Sequence, residues 1–471
     1  MLSIEMDRAT MAYTLAAHII IVSISLALPI IMVLAEYLGY RKGNVYFKTL
    51  AKRLSTALVI FFAVGTASGI AVASELLVLF PGFMSFVGKV AILPFYIEVF
   101  AFFGESVLLG IYVYSWNKVA NRKVHMLMGA LIAVFANLSG VLIIMINAWM
   151  NTPNGFNILG YEKTGILSGV NPLAVFLTNS TPVEELHALG GTLFTGAFLM
   201  TGYFAYRLLK SRIDLEKEYY KSALKISFAL TFVLMIFVAI GGTLSMDMMF
   251  SYQPLKYAVM DLDMVPHAFA YEMLFGFKVP IPGLQSILAT GSPSGIVPGL
   301  SSYPSADWAP LWIHDTFDAM VLTGTIMGLL LLAGVIASFI ESSGRKSKSA
   351  ISRLFMLFHP TQSRLMLKLL PVFSLVALFT LEDGWVTDEV GRQPYIIYNV
   401  MKTYTAANTS ASVIPVAIAL MLFYVFIYFF TAYSLKRIFS GRDLDSELES
   451  NLEKEFGKQR KTDGKASPGG R

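Results

Sequence analysis

Cysteine is absent from this chain of 471 residues, and charged side chains are few, at 14% of the total. The lack of thiols excludes disulfides, thiolate-bound iron–sulfur clusters and thioether-attached haem, so histidine, methionine and carboxylates remain as cofactor ligands. Hydrophobic residues reach 55%, and the mean hydropathy is +0.63. A chain this apolar and this lightly charged is predicted to be an integral membrane protein.

Apolar runs of roughly 18 residues or more, enough to cross a hydrocarbon core of about 30 Å, occur repeatedly along the chain. The first residues lack the basic flank and cleavage site of a signal peptide, so we expect the first run to be retained as a span. The pattern predicts an all-α membrane protein with about nine transmembrane helices, near residues 11–36, 55–80, 91–117, 124–150, 186–206, 223–242, 310–340, 365–381 and 411–435.

Basic residues concentrate in alternate connections between the predicted spans. Of the 36 lysines and arginines, 29 lie in residues 37–54, 118–123, 207–225, 341–368 and beyond 435. Because positive residues mark cytoplasmic connections, the N-terminus is predicted outside and the C-terminus in the cytoplasm. The charges follow this alternation instead of forming one patch, so nucleic-acid binding is not expected.

The chain is predicted to have one membrane domain and one tail. Residues 1–435 are expected to form the nine-helix domain, and residues 436–471 a flexible cytoplasmic tail, because the tail has little apolar content to pack. Within the domain, the outer connection at 243–309 is long and rich in proline and glycine. Its aromatic residues favour a folded segment with a function over a disordered loop.

A polar island lies between two apolar runs at residues 381–395. Burying each of its charges costs several kcal/mol unless partners compensate, so a membrane chain that concentrates them is expected to have chemistry there. The glycines, tryptophan and proline of the island predict a folded turn on the outer face. Its charged members are Glu382, Asp383, Asp388, Glu389 and Arg392.

Polar side chains within the spans are further candidates, because they are costly in lipid. A single histidine there often only hydrogen-bonds a neighbouring helix, and a methionine usually only packs. Together they suit non-covalent haem with His/Met and His or carboxylate ligands, although the carboxylates fit a cofactor-free proton-coupled transporter equally well. The candidates are His18, Glu75, Glu98, Glu105, His187 and Met320.

Several motifs in order along residues 1 to about 435 resemble subunit I of the cytochrome bd quinol oxidases. The most specific is Gly384-Trp385, Glu389 and Gly391-Arg392-Gln393-Pro394. The others are Arg8 with His18, Ile97-Glu98, Phe102-Phe103-Gly104-Glu105-Ser106, Asn137-Leu138-Ser139, Asn147-Ala148-Trp149-Met150, His187 before Thr195-Gly196-Ala197, and Gln253-Pro254-Leu255-Lys256.

The resemblance implies three haems and a set of ligands for them. His187 and Met320 match the axial ligands of a low-spin haem b. His18 and Glu389 match the ligands of the other two, a high-spin haem b and either a haem d or a third haem b. Which of these two residues serves which haem is left open.

The resemblance also implies substrates, catalytic residues and partners. Quinol would bind through the outer loop and oxygen would be reduced to water with protons from the cytoplasm. The expected partners are a second multi-span subunit and a small single-span one, in the plasma membrane of a prokaryote. The matching residues are Gln253, Lys256 and Asp261 for quinol, and Glu75, Glu98, Glu105 and Arg392 around the haem pair.

Three positions depart from the family pattern. Tyr395 stands where tryptophan is usual, and Asp318 where arginine is common. The spacing from Glu98 to Glu105 is one residue shorter than usual, which turns the second carboxylate by about 100° unless a helix bulge restores it. A haem-bearing, quinol-binding electron-transfer protein without oxygen reduction is therefore kept as an alternative.

Overall fold

The computed structural model describes residues 2–119, 121–273, 279–343, 349–410, 412–440 and 443–463. The helices of these residues are α1 (Leu2–Arg41), α2 (Val45–Leu79), α3 (Pro81–Val90), α4 (Leu93–Ser115), α5 (Arg122–Asn151), α6 (Ile158–Thr164), α7 (Thr181–Glu184), α8 (Gly190–Lys210), α9 (Asp214–Tyr252), α10 (Pro254–Met260), α11 (Leu284–Thr290), α12 (Ile313–Ser342), α13 (Ala350–Met356), α14 (Arg364–Gly391), α15 (Thr403–Ala406), α16 (Val413–Ser440) and α17 (Leu444–Asp463).

Nine helical segments of the described residues are long and apolar enough to cross a membrane, which confirms the predicted number of spans. They centre on α1, α2, α4, α5, α8, α9, α12, α14 and α16. Most extend past the predicted boundaries, because the apolar runs mark only the part of each helix that lies in the hydrocarbon core. We name the two ends of the bundle after what they hold: the loop end carries residues 253–309, and the tail end carries α17.

Helix α1 is central to the bundle and packs against α2, α5, α8 and α16. Its contact with α8 is close because of a glycine. A Cβ atom built on Gly196 would lie 1.9 Å from the backbone oxygen of Ser23, so only glycine fits there. Helices α8, α9, α12 and α14 form the other half of the bundle, in which α14 contacts both α8 and α12.

The loop end is folded, as its aromatic content predicts. Strand β1 (Glu272–Met273) pairs antiparallel with β2 (Pro280–Ile281), and β3 (Tyr395–Ile397) with β4 (Met401–Lys402). Helix α10 is buried along most of its length and packs against Val297, Leu300 and the start of α12. The first ten residues of the predicted loop, up to Tyr252, instead continue α9.

The polar island differs from its prediction. Residues 381–391 are the last three turns of α14, which runs to Gly391, so the expected folded turn is wrong over that stretch. Glycines inside the helix are retained for packing: a Cβ on Gly384 would lie 3.1 Å from Met320 Sδ, and one on Gly391 3.2 Å from Lys256 Cε. The chain turns only after Arg392, where β3 and β4 follow.

The tail differs from its prediction as well, because residues 444–463 form a docked helix. Leu444 and Leu448 are buried in the hydrophobic core at the tail end. Glu447 pairs with Arg53 at 2.9 Å, and Glu455 pairs with Lys48 at 2.8 Å. The tail helix is therefore docked by two leucines and by ion pairs with the basic start of α2.

Candidate functional site

Arg392 is the centre of a buried polar network at the loop end. Its side chain is only 1% exposed, although it carries a permanent charge. Nη2 donates to Glu389 Oε2 at 2.6 Å, and Nη1 donates to Asn147 Oδ1 at 2.9 Å and to Asn151 Oδ1 at 2.7 Å. The guanidinium therefore ties the end of α14 to the end of α5.

The same network reaches the long loop through Lys256 and Gln253. Lys256 Nζ pairs with Asp388, whose Oδ2 also accepts from Asn147 Nδ2 at 3.0 Å. Gln253 Nε2 donates to Asn151 Oδ1 at 3.0 Å. We call the full set the Arg392 network: Asn147, Asn151, Glu184, Gln253, Lys256, Asp388, Glu389 and Arg392.

Two atoms of this network are buried without a hydrogen-bond partner among the described residues, Arg392 Nε and Gln253 Oε1. Glu184 joins the network through Asn151 Nδ2, which donates to its Oε1 at 2.8 Å. Buried polar atoms are rarely left unpaired in native proteins. The free donor on Arg392 fits a carboxylate such as a haem propionate, beside the candidate iron ligand Glu389.

His187 lies in a π-helical turn, Glu185–Leu189, that precedes α8. Its Nδ1 donates to the backbone oxygen of Val238 at 3.0 Å, which fixes the ring and leaves Nε2 available as a ligand. Gly241 of α9 borders the backbone of His187 and Gly242 borders its ring, so that a Cβ on Gly242 would lie 3.2 Å from His187 Cε1. A histidine oriented by a backbone carbonyl in a glycine-bordered space suits haem ligation.

Met320 lies on α12 against Gly384 of α14, within the hydrophobic cluster that also contacts Val183 beside α8. Threonine pairs join α12 and α14 on both sides of it. Thr316 and Thr387 are linked at 2.9 Å, and Thr323 and Thr380 at 2.7 Å. The thioether therefore lies between two helices that the threonine pairs join, a position in which it could serve as a haem ligand.

His18 is positioned by α2. Its Nδ1 hydrogen-bonds Ser68 Oγ at 2.8 Å, and Gly69 borders the ring. Four residues from His18 along α1, Thr14 donates to Glu75 Oε2 at 2.5 Å, while Glu75 Oε1 is buried without a partner among the described residues. Ser68 and Glu75 thus flank this candidate haem pocket about two turns apart on α2.

Glu98 and Glu105 share one face of α4, which is a continuous α-helix. No bulge alters their spacing, so the departure in spacing from the family pattern persists in the structure. Glu98 accepts from Ser139 of α5 at 2.6 Å, and Glu105 is buried, at 6% exposure. The two carboxylates lie about 10 Å apart along the helix axis.

Asp261 lies apart from Lys256, in an acidic group of the loop. Gln285 Nε2 donates to Asp261 at 2.9 Å and to Asp263 at 2.6 Å. Burial, with repulsion from Glu272 and Asp263, raises the pKa of Asp261 well above its usual range. Burial likewise raises the pKa of Glu272 to about 7. This carboxyl group of Asp261 is suited to hold or accept a proton.

A cavity of about 160 Å³ opens at the loop end beside the network. Four of its nine lining residues are tyrosines. Asp307, also in the wall, pairs with Lys402 at 2.7 Å. The cavity connects the loop with the β3–β4 segment, and Leu255 in its wall adjoins Lys256. The tyrosines that line it are Tyr252, Tyr303, Tyr395 and Tyr398.

Of the sequence-predicted site residues, the structure joins Gln253, Lys256, Glu389 and Arg392 in the Arg392 network. The others lie outside the network: His18 and Glu75 between α1 and α2, Glu98 and Glu105 on α4, His187 before α8, Met320 on α12, and Asp261 in the acidic group of the loop. Reasoning from sequence missed Asn151 and Glu184 and did not single out Asp388 as the partner of Lys256. The spacing of these three residues from predicted site residues could have indicated them. Asn151 follows Asn147 by one helical turn, Asp388 precedes Arg392 by one turn, and Glu184 precedes His187 by three residues.

The fold and site define a class: a multi-span membrane protein with histidine, methionine and carboxylate side chains placed for non-covalent haem. Among the described residues, no three histidine or carboxylate side chains are grouped so that they could hold a metal ion.

The comparisons with known proteins identify the family. The sequence profile of cytochrome bd terminal oxidase subunit I matches residues 6–442, so the chain belongs to that family. A Bacillus subtilis (strain 168) protein described as a cytochrome bd menaquinol oxidase subunit I is 29% identical over 440 residues, covering 89% of this chain and 92% of its own.

Two further relatives agree. The Bacillus subtilis (strain 168) cytochrome bd ubiquinol oxidase subunit 1 is 26% identical, covering 88% of this chain and 87% of its own. The solved bd oxidase from Geobacillus thermodenitrificans superposes with a TM-score of 0.79 at 30% identity, covering 94% of this chain and 99% of that one. These matches confirm the predicted family and the predicted function as a terminal quinol oxidase. The alternative of a cofactor-free transporter is wrong.

Family membership carries three coarser consequences. The chain is a multi-pass membrane protein, it belongs to a haem-containing enzyme, and it works with a partner subunit on quinol and oxygen. The predicted haem types, the assignment of each ligand and the orientation in the membrane stay predictions.

Proposed function

We propose that this chain oxidises quinol at the loop end and reduces oxygen to water with protons drawn from the tail end. The observation that carries the proposal is the unbroken Arg392 network. It begins at Gln253 and Lys256 beside the aromatic cavity and ends at Glu389. One set of hydrogen bonds therefore joins the segment that would receive quinol to a segment that would hold haem.

The residues present fit three haems. His187 and Met320 would ligate a low-spin haem b, while His18 and Glu389 would ligate a high-spin haem b and a haem d or third haem b. The bound haems would supply the one-electron chemistry and the iron at which oxygen is reduced. The protein supplies oriented imidazoles, the Met320 thioether between two linked helices, and Arg392 as a partner for propionates.

Quinol binding is assigned to the aromatic cavity and its neighbours. A quinol ring is flat and apolar with two hydroxyl groups, so tyrosine walls and a few polar atoms suit it. Asp261, with its raised pKa, would accept a proton released on oxidation. Lys256 is 2% exposed, so it would act by holding α10 against α14 and not by direct solvent contact.

Protons for oxygen reduction would travel along α4. Glu105, buried in mid-helix, and Glu98, two turns nearer the loop end, are spaced to pass protons toward the haem pair through water. Uptake at one face and release at the other would generate a membrane potential without a separate pump. The proposed orientation places the loop end outside, in the plasma membrane of a prokaryote.

Single-cysteine labelling tests that orientation, since the chain has no native cysteine. Ser301 and Ser343 are both exposed and lie at opposite ends. An impermeant thiol reagent applied to intact cells should label Ser301→Cys and should label Ser343→Cys only after permeabilisation. The opposite pattern would reverse the proposed direction of proton uptake.

Lys256→Met tests the quinol assignment. The change removes the charge that pairs with Asp388 while keeping much of the side-chain volume. The Michaelis constant for a short-chain quinol should rise by at least about tenfold, and the absorption of the haem ligated by Glu389 should shift, because the network is shared. Lys163→Met, at an exposed position of the 151–185 connection, is the control.

Unchanged quinol kinetics in Lys256→Met, with Lys163→Met behaving identically, would remove the network from the quinol site. A shifted haem spectrum with an unchanged Michaelis constant would instead make Lys256 a support of the haem pocket alone.

A further inference from the structure

Three side chains at the tail end form a second buried polar group that the proposed function does not use. Glu36 of α1, Tyr112 of α4 and His125 of α5 are each 0% exposed. His125 Nδ1 lies 2.6 Å from Glu36 Oε1, and Tyr112 donates its hydroxyl to Glu36 Oε2 at 2.6 Å. We call these residues the Glu36 triad.

The hydrogen bonds of the triad require a shared proton. His125 Nε2 lies 3.1 Å from the backbone oxygen of Tyr112, which can only accept, so Nε2 carries a hydrogen. The remaining contact, Nδ1 to Glu36 Oε1, then holds one proton, either on the imidazole or on the carboxyl group. Imidazolium with carboxylate and imidazole with carboxylic acid are the two forms, and transfer of one proton between Nδ1 and Oε1, which lie 2.6 Å apart, interconverts them.

The triad lies in line with the carboxylates of α4. Tyr112 follows Glu105 by seven residues, as Glu105 follows Glu98, so all three share one face of a continuous helix. Helix α5 runs antiparallel beside them, with Ser139 against Glu98 and His125 against Tyr112. Buried polar groups thus recur on this face at intervals of about 10 Å from the tail end toward Glu98.

We propose that the Glu36 triad is the proton-loading station at the tail end, from which protons pass to Glu105 and then to Glu98. A proton from the tail side would join the triad while the shared proton moves on toward Glu105, so the triad returns to its starting charge after each transfer. Leu109 and Ile132 lie between the triad and Glu105. Water molecules that enter between these two side chains would carry the proton from the triad to Glu105.

The approach from the tail end has charged and polar groups that suit proton delivery. Tyr40 is one turn from Glu36, and its ring lies 5.2 Å from both Lys48 Nζ and Arg122 Cζ. Lys48 also pairs with Glu455 of α17. Glu455 and Tyr40 are partly exposed, so both can exchange a proton with solvent at this entrance.

This inference rests on the proposed uptake of protons from the tail side, and its test compares variants of the triad with Glu105→Gln. The isolated oxidase complex, with its partner subunit, is reconstituted in liposomes, fully reduced and mixed with oxygen. Proton uptake is followed with a pH-sensitive dye and charge movement electrically. Glu36→Gln should slow proton uptake by about tenfold or more, and Tyr112→Phe severalfold.

Two readouts separate proton delivery from a structural role. The haem spectrum and the rate at which quinol reduces the low-spin haem should not change in Tyr112→Phe, while the solvent deuterium isotope effect on oxygen reduction should increase. Tyr114→Phe on the exposed side of α4 is the matched control and should equal wild type. If the complex with Glu36→Gln does not assemble, Tyr112→Phe tests the proposal by itself, because this change removes one hydroxyl group and keeps the aromatic ring.

The outcomes distinguish this inference from the function on which it rests. Slow uptake in both the triad variants and Glu105→Gln supports the loading station. Slow uptake in Glu105→Gln with normal uptake in Tyr112→Phe overturns the loading station and keeps the α4 path. Normal uptake in Glu105→Gln overturns the α4 path itself, and with it the station.

Discussion

The Arg392 network and the Glu36 triad are both buried and both contain a 2.6 Å contact to a carboxylate, yet they differ in how complete they are. Among the described residues the network leaves Arg392 Nε and Gln253 Oε1 without partners, whereas the side-chain atoms of the triad are paired with one another or with backbone. A buried group with bonding capacity left over is suited to receive another molecule. A closed group is suited to hold a proton.

The Arg392 network and the Glu36 triad also differ in their charged groups. The network combines Lys256 and Arg392 with Asp388, Glu389 and Glu184, and these side chains come from three separate segments of the chain. Such a group holds distant segments in place and is sensitive to the loss of any member. The triad joins three neighbouring helices through one carboxylate and is neutral overall in either protonation form.

Arg392→Leu should produce the largest effect and would break the network without touching the triad. The change removes the ion-pair partner of Glu389 and the donor to Asn147 Oδ1 and Asn151 Oδ1, and each lost hydrogen bond to a charged group costs about 1.5–3 kcal/mol. We expect haem content per complex to fall sharply and the thermal unfolding temperature to drop. Absorption spectroscopy and calorimetry of the purified complex measure both.

Arg437→Leu, in the exposed last turn of α16, is the matched control for that change. Full haem content and an unchanged unfolding temperature in Arg392→Leu would contradict a supporting role for the network.

A smaller effect is expected from pH on the acidic group of the loop. Burial raises the pKa of Asp261, of Asp263 and, to about 7, of Glu272. The unfolded loop releases these protons at lower pH than the folded loop does. The packing is therefore most stable below about pH 4.5 and weakens as pH rises toward 7.

Limited proteolysis of the loop should accordingly accelerate between about pH 5 and 8. Glu272→Gln cannot ionise and should flatten this profile. A rate independent of pH in wild type, or an unchanged profile in the variant, would show that the acidic group does not control loop packing.

The sequence predicted the nine spans and the haem-ligand candidates because apolar length and rare polar residues inside lipid are strong one-dimensional signals. The prediction for residues 381–391 was wrong because glycines and charged residues usually end a helix. Here the helix continues, because residues on α5 and α10 pair with its charges and Met320 of α12 packs against Gly384. The tail was predicted to be flexible because it has few apolar residues. Leu444 and Leu448 are nevertheless buried, against helices that are distant in the sequence. Pairings such as Lys256 with Asp388 join residues more than a hundred positions apart, which no local pattern contains.

The central claim is that His187, Met320, His18 and Glu389 hold haem in a terminal quinol oxidase. The direct measurement is the reduced-minus-oxidised absorption spectrum of the purified complex, taken for wild type, Met320→Leu and the buried control Met327→Leu on the same helix. Wild type should show a Soret band, a low-spin b signal and signals of two further haems. Met320→Leu should lose the low-spin signal or lower its potential, while Met327→Leu should match wild type. The absence of a Soret band in wild type, or an unchanged low-spin haem in Met320→Leu, would contradict this account.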